Sequence, residues 1–158
     1  MAVKAGKQVI DALNEVLTAE LTAINQYFLH AKMLANWGFM GLAGKVREES
    51  IDEMKHADQL IERILYLEGV PNVQKLGRIR IGEDVAEMWR SDLALEQEAI
   101  PRLNTAIALC RDQADNGTRL LLDEILASEE QHLYWLETQL HLIDTVGLQA
   151  YLAQHIDA

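Results

Sequence analysis

The chain has 158 residues, with 14 basic and 25 acidic side chains, a formal charge of −11 and a hydrophobic content of 49%. That content is too apolar for a disordered chain. The acidity argues against a nucleic-acid partner, which needs a basic face to displace counterions. The single cysteine, Cys110, leaves no internal disulfide and no cysteine-based zinc site.

The length fits one domain, taken as 1–158. No uncharged apolar run reaches the ~18–20 residues of a membrane span. The N-terminal stretch MAVKAGKQVIDALNE lacks the apolar core and small-residue cleavage site of a signal peptide. The expectation is a cytoplasmic protein with no membrane and no nucleic acid among its partners.

Apolar residues recur at helical spacing in five segments. The first runs from about 7 to 36 and ends in Asn36-Trp37-Gly38. The second runs from about 41 to 68 and stops at Gly69, with Pro71 beyond. Residues 70–82 have no helical period. The third segment spans about 83–114 and contains Pro101, which removes one backbone hydrogen bond and should kink the helix locally. Asn116-Gly117 is read as its terminator. The fourth segment spans about 118–145, and a short fifth covers about 148–155.

Four segments of about 27–32 residues would each be ~40–48 Å long. The first and second, and the third and fourth, are joined by short connections and should form antiparallel hairpins. The connection between the hairpins is long enough to cross the bundle. The expected fold is all-α: a ferritin-like four-helix bundle with one long crossover and a short C-terminal fifth helix.

The apolar stripes are interrupted at mid-length by acids. The first reads Leu13, Leu17, Glu20, Ile24, Tyr27, and the second Val46, Ser50, Glu53, His56, Leu60, Ile64. The third reads Val85, Trp89, Glu96, Ile100, Leu103, Ile107, and the fourth Leu122, Ile125, Glu129, His132, Leu136, Leu140. Four unpaired carboxylates in an apolar core would cost several kcal/mol each. Two divalent cations would balance their four charges. Glu53–His56 and Glu129–His132 each put carboxylate and imidazole on one helix face, a ligand set that suits iron or manganese. In contrast, Glu48, Glu49, Glu62, Glu98 and Glu130 are read as lying on solvated faces.

The spacing repeats. Glu20 to Glu53 is 53 − 20 = 33 residues, and Glu96 to Glu129 is 129 − 96 = 33 residues. The two hairpins are displaced by 96 − 20 = 76 residues. One Glu-x-x-His is a weak signal, but two of them, each following a core Glu by the same interval, form a strong one.

The stretches AINQYFLHAKM, ESIDEMKHAD, GEDVAEMWRSDLALE, EILASEEQHLYWLE and GLQAYL resemble bacterioferritin, in register from about Val9 to Gln154. The resemblance implies a subunit of a 24-mer cage that stores and detoxifies iron. It implies a ferroxidase that oxidises Fe(II) with O₂ or peroxide at a di-iron site and deposits ferric mineral inside. The family's ligands fall on Glu20, Glu53, His56, Glu96, Glu129 and His132. Glu53 and Glu129 would bridge, with Glu20 and His56 completing one metal and Glu96 and His132 the other. Tyr27, on the same stripe, could hydrogen-bond a ligand carboxylate.

Met54 is rotated ~100° from the metal-facing stripe and should point to the subunit surface. On residue type alone it would fill a gap in a core or interface. The resemblance instead implies an axial ligand to haem b, one haem per subunit pair, with Leu21, Ile24, Asn25 and Phe28 lining the pocket. The haem would carry electrons inward for iron release, from a ferredoxin-like reductant.

Several positions depart from the family. Glu48 stands where some members have a histidine that, with an acid at the Asp52 position, binds iron on the inner surface. Tyr134 and His141 replace aspartates of a subunit-junction pore, of which Asn36 and Glu68 remain. Ala150 and Ala153 replace polar residues of the fifth helix. Cys110 is read as a buried small apolar residue. A rubrerythrin-type oxidase would usually need paired cysteines and is excluded by the single one. A cage subunit with an idle dimetal site, and a cage mixed with a second subunit type, stay open as alternatives.

Overall fold

The computed structural model describes residues 6–156. Residues 1–5, on which part of the leader expectation rests, and the last two of the expected domain lie outside the described residues. Five helices follow in order: α1 (Lys7–Asn36), α2 (Met40–Tyr66), α3 (Val85–Asp112), α4 (Asn116–Val146) and α5 (Leu148–Ala153). No strand occurs among the described residues. The first four helices form the ferritin-like bundle. α1 packs along α2 and α3 along α4, and α5 folds back on α4.

Three helix ends use one backbone device. Gly38 takes φ +92°, its N–H donates to the Ala35 carbonyl, and the Phe39 N–H reaches back to Leu34 at 3.0 Å. Seventy-six residues later (114 − 38 = 76) Ala114 does the same at φ +57°, with Asp115 N–H donating to Cys110 at 2.8 Å. Glu68, at φ +66°, closes α2. The expected terminators therefore act differently. Glu68, not Gly69, turns the chain. Gly69 is needed for room, because a Cβ there would meet the Ile10 side chain at 2.8 Å. Asn116-Gly117 does not end α3; it begins α4. Asp115 caps that helix by accepting from the Thr118 N–H at 3.1 Å and hydroxyl at 2.7 Å. α3 starts from its own cap, Asp84, and continues as helix through the exposed Pro101.

The crossover has no repeating structure, so its backbone N–H groups need other partners. A polar stripe on α1 supplies them. The Asn14 side chain accepts from Asn72 N–H at 2.8 Å and donates to the Val70 carbonyl at 3.1 Å. Thr22 accepts from Gly77 N–H at 2.8 Å, Gln26 from Arg80 N–H at 3.0 Å, and His30 from Gly82 N–H at 3.0 Å. Because His30 Nε2 accepts, Nδ1 carries the proton and donates to Asp92 on α3 at 2.9 Å. Gln26 also donates to that carboxylate, at 2.8 Å. Gln26, His30 and Asp92 are fully buried. This polar cluster has no counterpart among the sequence expectations, although Thr22, Gln26 and His30 fall one turn apart on α1.

The core forms two clusters. One gathers Leu13, Leu17, Leu60, Ile64, Leu103, Ile107, Cys110, Leu122 and their neighbours. The other gathers Tyr27, Leu34, Leu42, Val46, Met88, Trp89, Leu136 and Tyr151. Glu20, Glu53, Glu96 and Glu129, spaced mid-length on the four helices, belong to neither, and all four are buried. Tyr151 anchors α5 by donating to Gln139 at 2.7 Å and accepting from the Trp89 indole at 3.2 Å.

The left-handed conformation of Ala114 strains an alanine by about 1 kcal/mol and a glycine hardly at all. Ala114→Gly should raise the thermal unfolding midpoint. An unchanged or lowered midpoint would show that the turn is not strained.

Candidate metal centre

Each helix delivers one carboxylate to the layer between the two apolar clusters, and the i, i+3 spacing on α2 and α4 turns His56 and His132 to the same side as Glu53 and Glu129. The six residues bring ligand atoms together in two groups. Glu20, Glu53, His56 and Glu129 form one, and Glu53, Glu96, Glu129 and His132 the other. Within each group the ligand atoms lie within 4.8 Å of one another. Glu53 and Glu129 are common to both.

Hydrogen bonds hold part of this set and leave part free. Glu96 Oε1 accepts from the Tyr27 hydroxyl and lies 2.9 Å from His132 Nδ1. His56 Nδ1 lies 3.3 Å from Glu129, 3.4 Å from Glu53 and 3.6 Å from Glu20. Glu20 Oε2, Glu96 Oε2 and Glu129 Oε1 are buried without a well-formed hydrogen bond; the first and last have only His56 Nδ1 near them, at 3.6 and 3.3 Å. Orphaned carboxylate oxygens in a dry core are costly unless a cation joins them. Their convergence with two imidazoles fits a pair of divalent transition-metal ions.

The two groups are not equivalent. Tyr27, displaced by 76, corresponds to Leu103, and Glu49 to Ile125 (27 + 76 = 103; 49 + 76 = 125). Both polar residues adjoin the Glu96–His132 side. Glu49 corrects an expectation: it is 8% exposed rather than solvated, pairs with Lys45 at 2.9 Å and faces His132 at 3.7 Å. The physical reason is its position one turn before Glu53, which puts it on the buried face of α2. That spacing, and the place of Asp92 one turn before Glu96, were the available sequence signals for both. The other acids read as solvated, Glu48, Glu62, Glu98 and Glu130, are exposed.

Burial sets the electrostatics. For His132, burial disfavours the charged ring. The hydrogen bond and charge of Glu96, helped by Glu49 and Glu53, outweigh it and hold the pKa at about 9. His56, likewise opposed by burial, is held at about 10 by Glu129 and Glu53. Burial first, then Glu129, pushes Glu96 up to about 8 against the pull of His132. Burial also raises Glu53, Glu129 and the Tyr27 phenol.

Met54 is 55% exposed, as its rotation from the stripe requires. Ile51, Asn25 and Phe28 are exposed as well, whereas Leu21 and Ile24 are half-buried against the core. Arg47 and Lys32 each approach the Phe28 ring at 5.8 Å. Tyr134, His141, Asn36 and Glu68 are exposed, and Cys110 is buried.

His56, His132 and Glu96 all titrate above neutrality, so the metal-free box carries protons at pH 7 that a metal must displace. Zn(II) added to weakly buffered protein at pH 7 should release protons, read with an indicator dye, and its affinity should rise with pH. Binding without proton release would show that the box is deprotonated before metal arrives.

Residues 10–146 match the model of the ferritin-like domain. The chain is 52% identical over 147 residues to "Bacterioferritin" of Mycolicibacterium paratuberculosis, covering 93% of this chain and 92% of that one. It is 51% identical over 146 residues to "Bacterioferritin BfrA" of Mycobacterium tuberculosis, covering 92% of each. It is 49% identical over 150 residues to "Bacterioferritin" of Streptomyces coelicolor, covering 95% and 90%. With likeness of this depth along nearly the whole chain, and a carboxylate–histidine box at the centre of the bundle, the protein belongs to the bacterioferritin family of ferritin-like proteins.

Proposed function

We propose that this chain is the subunit of an iron-storage cage and a ferroxidase, with Fe(II) as substrate at the box of Glu20, Glu53, His56, Glu96, Glu129 and His132. The observation that carries the reading is the set of orphaned carboxylate oxygens converging with two imidazoles in an otherwise apolar core. Glu53 and Glu129, common to both ligand groups, are the bridging candidates. Two Fe(II) bound together supply the two electrons that take O₂ to hydrogen peroxide, or hydrogen peroxide to water. The chain's own residues prepare that chemistry. Tyr27 and His132 orient Glu96 through one oxygen and leave the other free. His56, His132 and Glu96 hold protons until metal displaces them. The apolar clusters above and below keep bulk water from the layer.

Exposed apolar side chains support assembly with further copies. Val70, Val73, Leu76 and Ile79 stand out from the crossover, at 81%, 56%, 48% and 37% exposure. Among the described residues no helix is long and apolar enough to cross a membrane. Membership of the family supports assembly as a 24-mer, in the cytoplasm. The exposed thioether of Met54, with Ile51 and Phe28 also exposed nearby in sequence and on the neighbouring helix, suits an axial ligand to a haem b shared by two subunits. Bound there, haem would supply one-electron chemistry for release of stored iron, with a ferredoxin-like protein as reductant.

Two measurements test these assignments. Aerobic Fe(II) oxidation, followed by ferric absorbance, should fall by about 100-fold or more in Glu129→Ala and Glu20→Ala, since even outer-shell changes cost roughly 10–100-fold. A wild type no faster than either variant would leave the box idle and the subunit a structural one. Met54→Leu should lose the haem spectrum of the assembled protein while retaining Fe(II) oxidation; unchanged haem content would remove Met54 as ligand.

A further inference from the structure

Two openings lead to the box, and their linings differ in chemistry. The first lies between α1 and α3 beneath the crossover. It is a cavity of about 140 Å³ with Glu20, Glu53, Glu96 and Glu129 in its lining and Arg78, Arg80 and Arg102 toward its outer side. The helices also contribute Ala19, Ala23, Leu95 and Ala99. The Thr22 hydroxyl, also in the lining, is committed: it donates to the Thr18 carbonyl at 2.7 Å and accepts from Gly77 N–H at 2.8 Å. The hydrogen bonds of Thr22 to Gly77 N–H and of Gln26 to Arg80 N–H hold the crossover backbone that carries Arg78 and Arg80 against this opening.

The second opening lies between α2 and α4. It is a cavity of about 320 Å³ lined by Asp52, His56, Gln59, Glu124 and Ser128, with Lys55 and Ile125. His56 has the most exposed side chain of the six box residues, at 12% against 2–4% for the others.

A divalent cation gives up its water only where oxygen or nitrogen ligands replace it. The second opening offers such ligands up to His56. The first has the box carboxylates themselves at its inner end, but its approach is lined largely by alanine and leucine, with three guanidinium groups beside Glu15 and Glu98; Arg80 is paired with Glu98 at 2.8 Å. An uncharged molecule of two heavy atoms meets neither obstacle.

Resting on the ferroxidase reading above, we infer that the channel between α1 and α3 is the oxidant's door, admitting O₂ or H₂O₂ and turning back cations, while Fe(II) reaches the box past Asp52, Glu124 and His56. The division separates the two substrates before they meet. In each turnover, two Fe(II) each lose one electron, and the pair reduces O₂ with two protons to H₂O₂, or H₂O₂ with two protons to two waters.

The test uses the assembled protein and separates metal entry from oxidant entry. Ala19→Trp and the milder Ala99→Met fill the channel from opposite walls. Co(II) binding without oxidant is followed by its visible absorbance; separately, protein preloaded anaerobically with Fe(II) is mixed with O₂ or H₂O₂. Both variants should bind Co(II) at the wild-type rate and stoichiometry yet react severalfold more slowly with oxidant. The double variant Asp52→Asn/Glu124→Gln should show the converse. Its Co(II) binding should slow by roughly tenfold at low salt, the difference shrinking as salt rises, while preloaded protein meets oxidant at the wild-type rate. Filled-channel variants that slow Co(II) binding as much as oxidation, or that react with oxidant as fast as wild type, would overturn the inference. A wild type that binds Co(II) but does not oxidise Fe(II) would instead overturn the ferroxidase reading.

Discussion

The constraint on which this structure depends is the burial of four carboxylates and two imidazoles in one layer of a helix bundle. Charge of that density in a dry core is held by mutual proton sharing in the absence of metal, and by cations in their presence. The rest of the fold accommodates it. The apolar core is split into two clusters above and below the layer. Each helix is long enough to reach through both. The two hairpins turn with the same backbone geometry at Gly38 and Ala114, so their carboxylates arrive at one level. Stability of the bundle and capacity for metal are thus two consequences of one arrangement, and removal of a single carboxylate alters both.

The two halves repeat in chain order but differ in surroundings. Tyr27 and Glu49 adjoin Glu96 and His132, where the equivalent positions of the other half are Leu103 and Ile125. The buried trio of Gln26, His30 and Asp92, which lies beyond Glu20 on α1 and one turn before Glu96 on α3, binds the crossover to the bundle. The crossover in turn holds Arg78 and Arg80 over one opening of the box. A segment without regular structure therefore acts on the site through hydrogen bonds to a single stripe of α1.

The fold was legible in the sequence because its signals are local. Helical period, two prolines and a long aperiodic connection suffice to specify a bundle with one crossover. The box was legible for the same reason: Glu20, Glu53, Glu96 and Glu129 each interrupt an apolar stripe, and the 33-residue interval recurs. Less legible were the helix ends. Gly69 and Asn116-Gly117 look like terminators, yet the left-handed turns fall on Glu68 and Ala114, since capping by Asp115 outweighs the turn preference of Asn-Gly. Glu49 was misread because adjacent acids, Glu48 and Glu49, resemble a solvated run. The place of Glu49 one turn before Glu53 was the signal that separates them, and packing of α2 against α1 and α4 leaves one exposed and one buried.

By itself, then, the sequence determined the bundle, the four-carboxylate layer with its two histidines, and membership of a family, because periodicity and spacing are properties of the chain alone. Tertiary structure decided which carboxylate oxygens stay orphaned, which side of the box gains Tyr27 and Glu49, and where the crossover lies. It also decided that one approach to the box is walled by alanines and the other by ligands. Each of these depends on which helix faces which, and that follows from the packing of side chains distant in sequence, where no local pattern reaches.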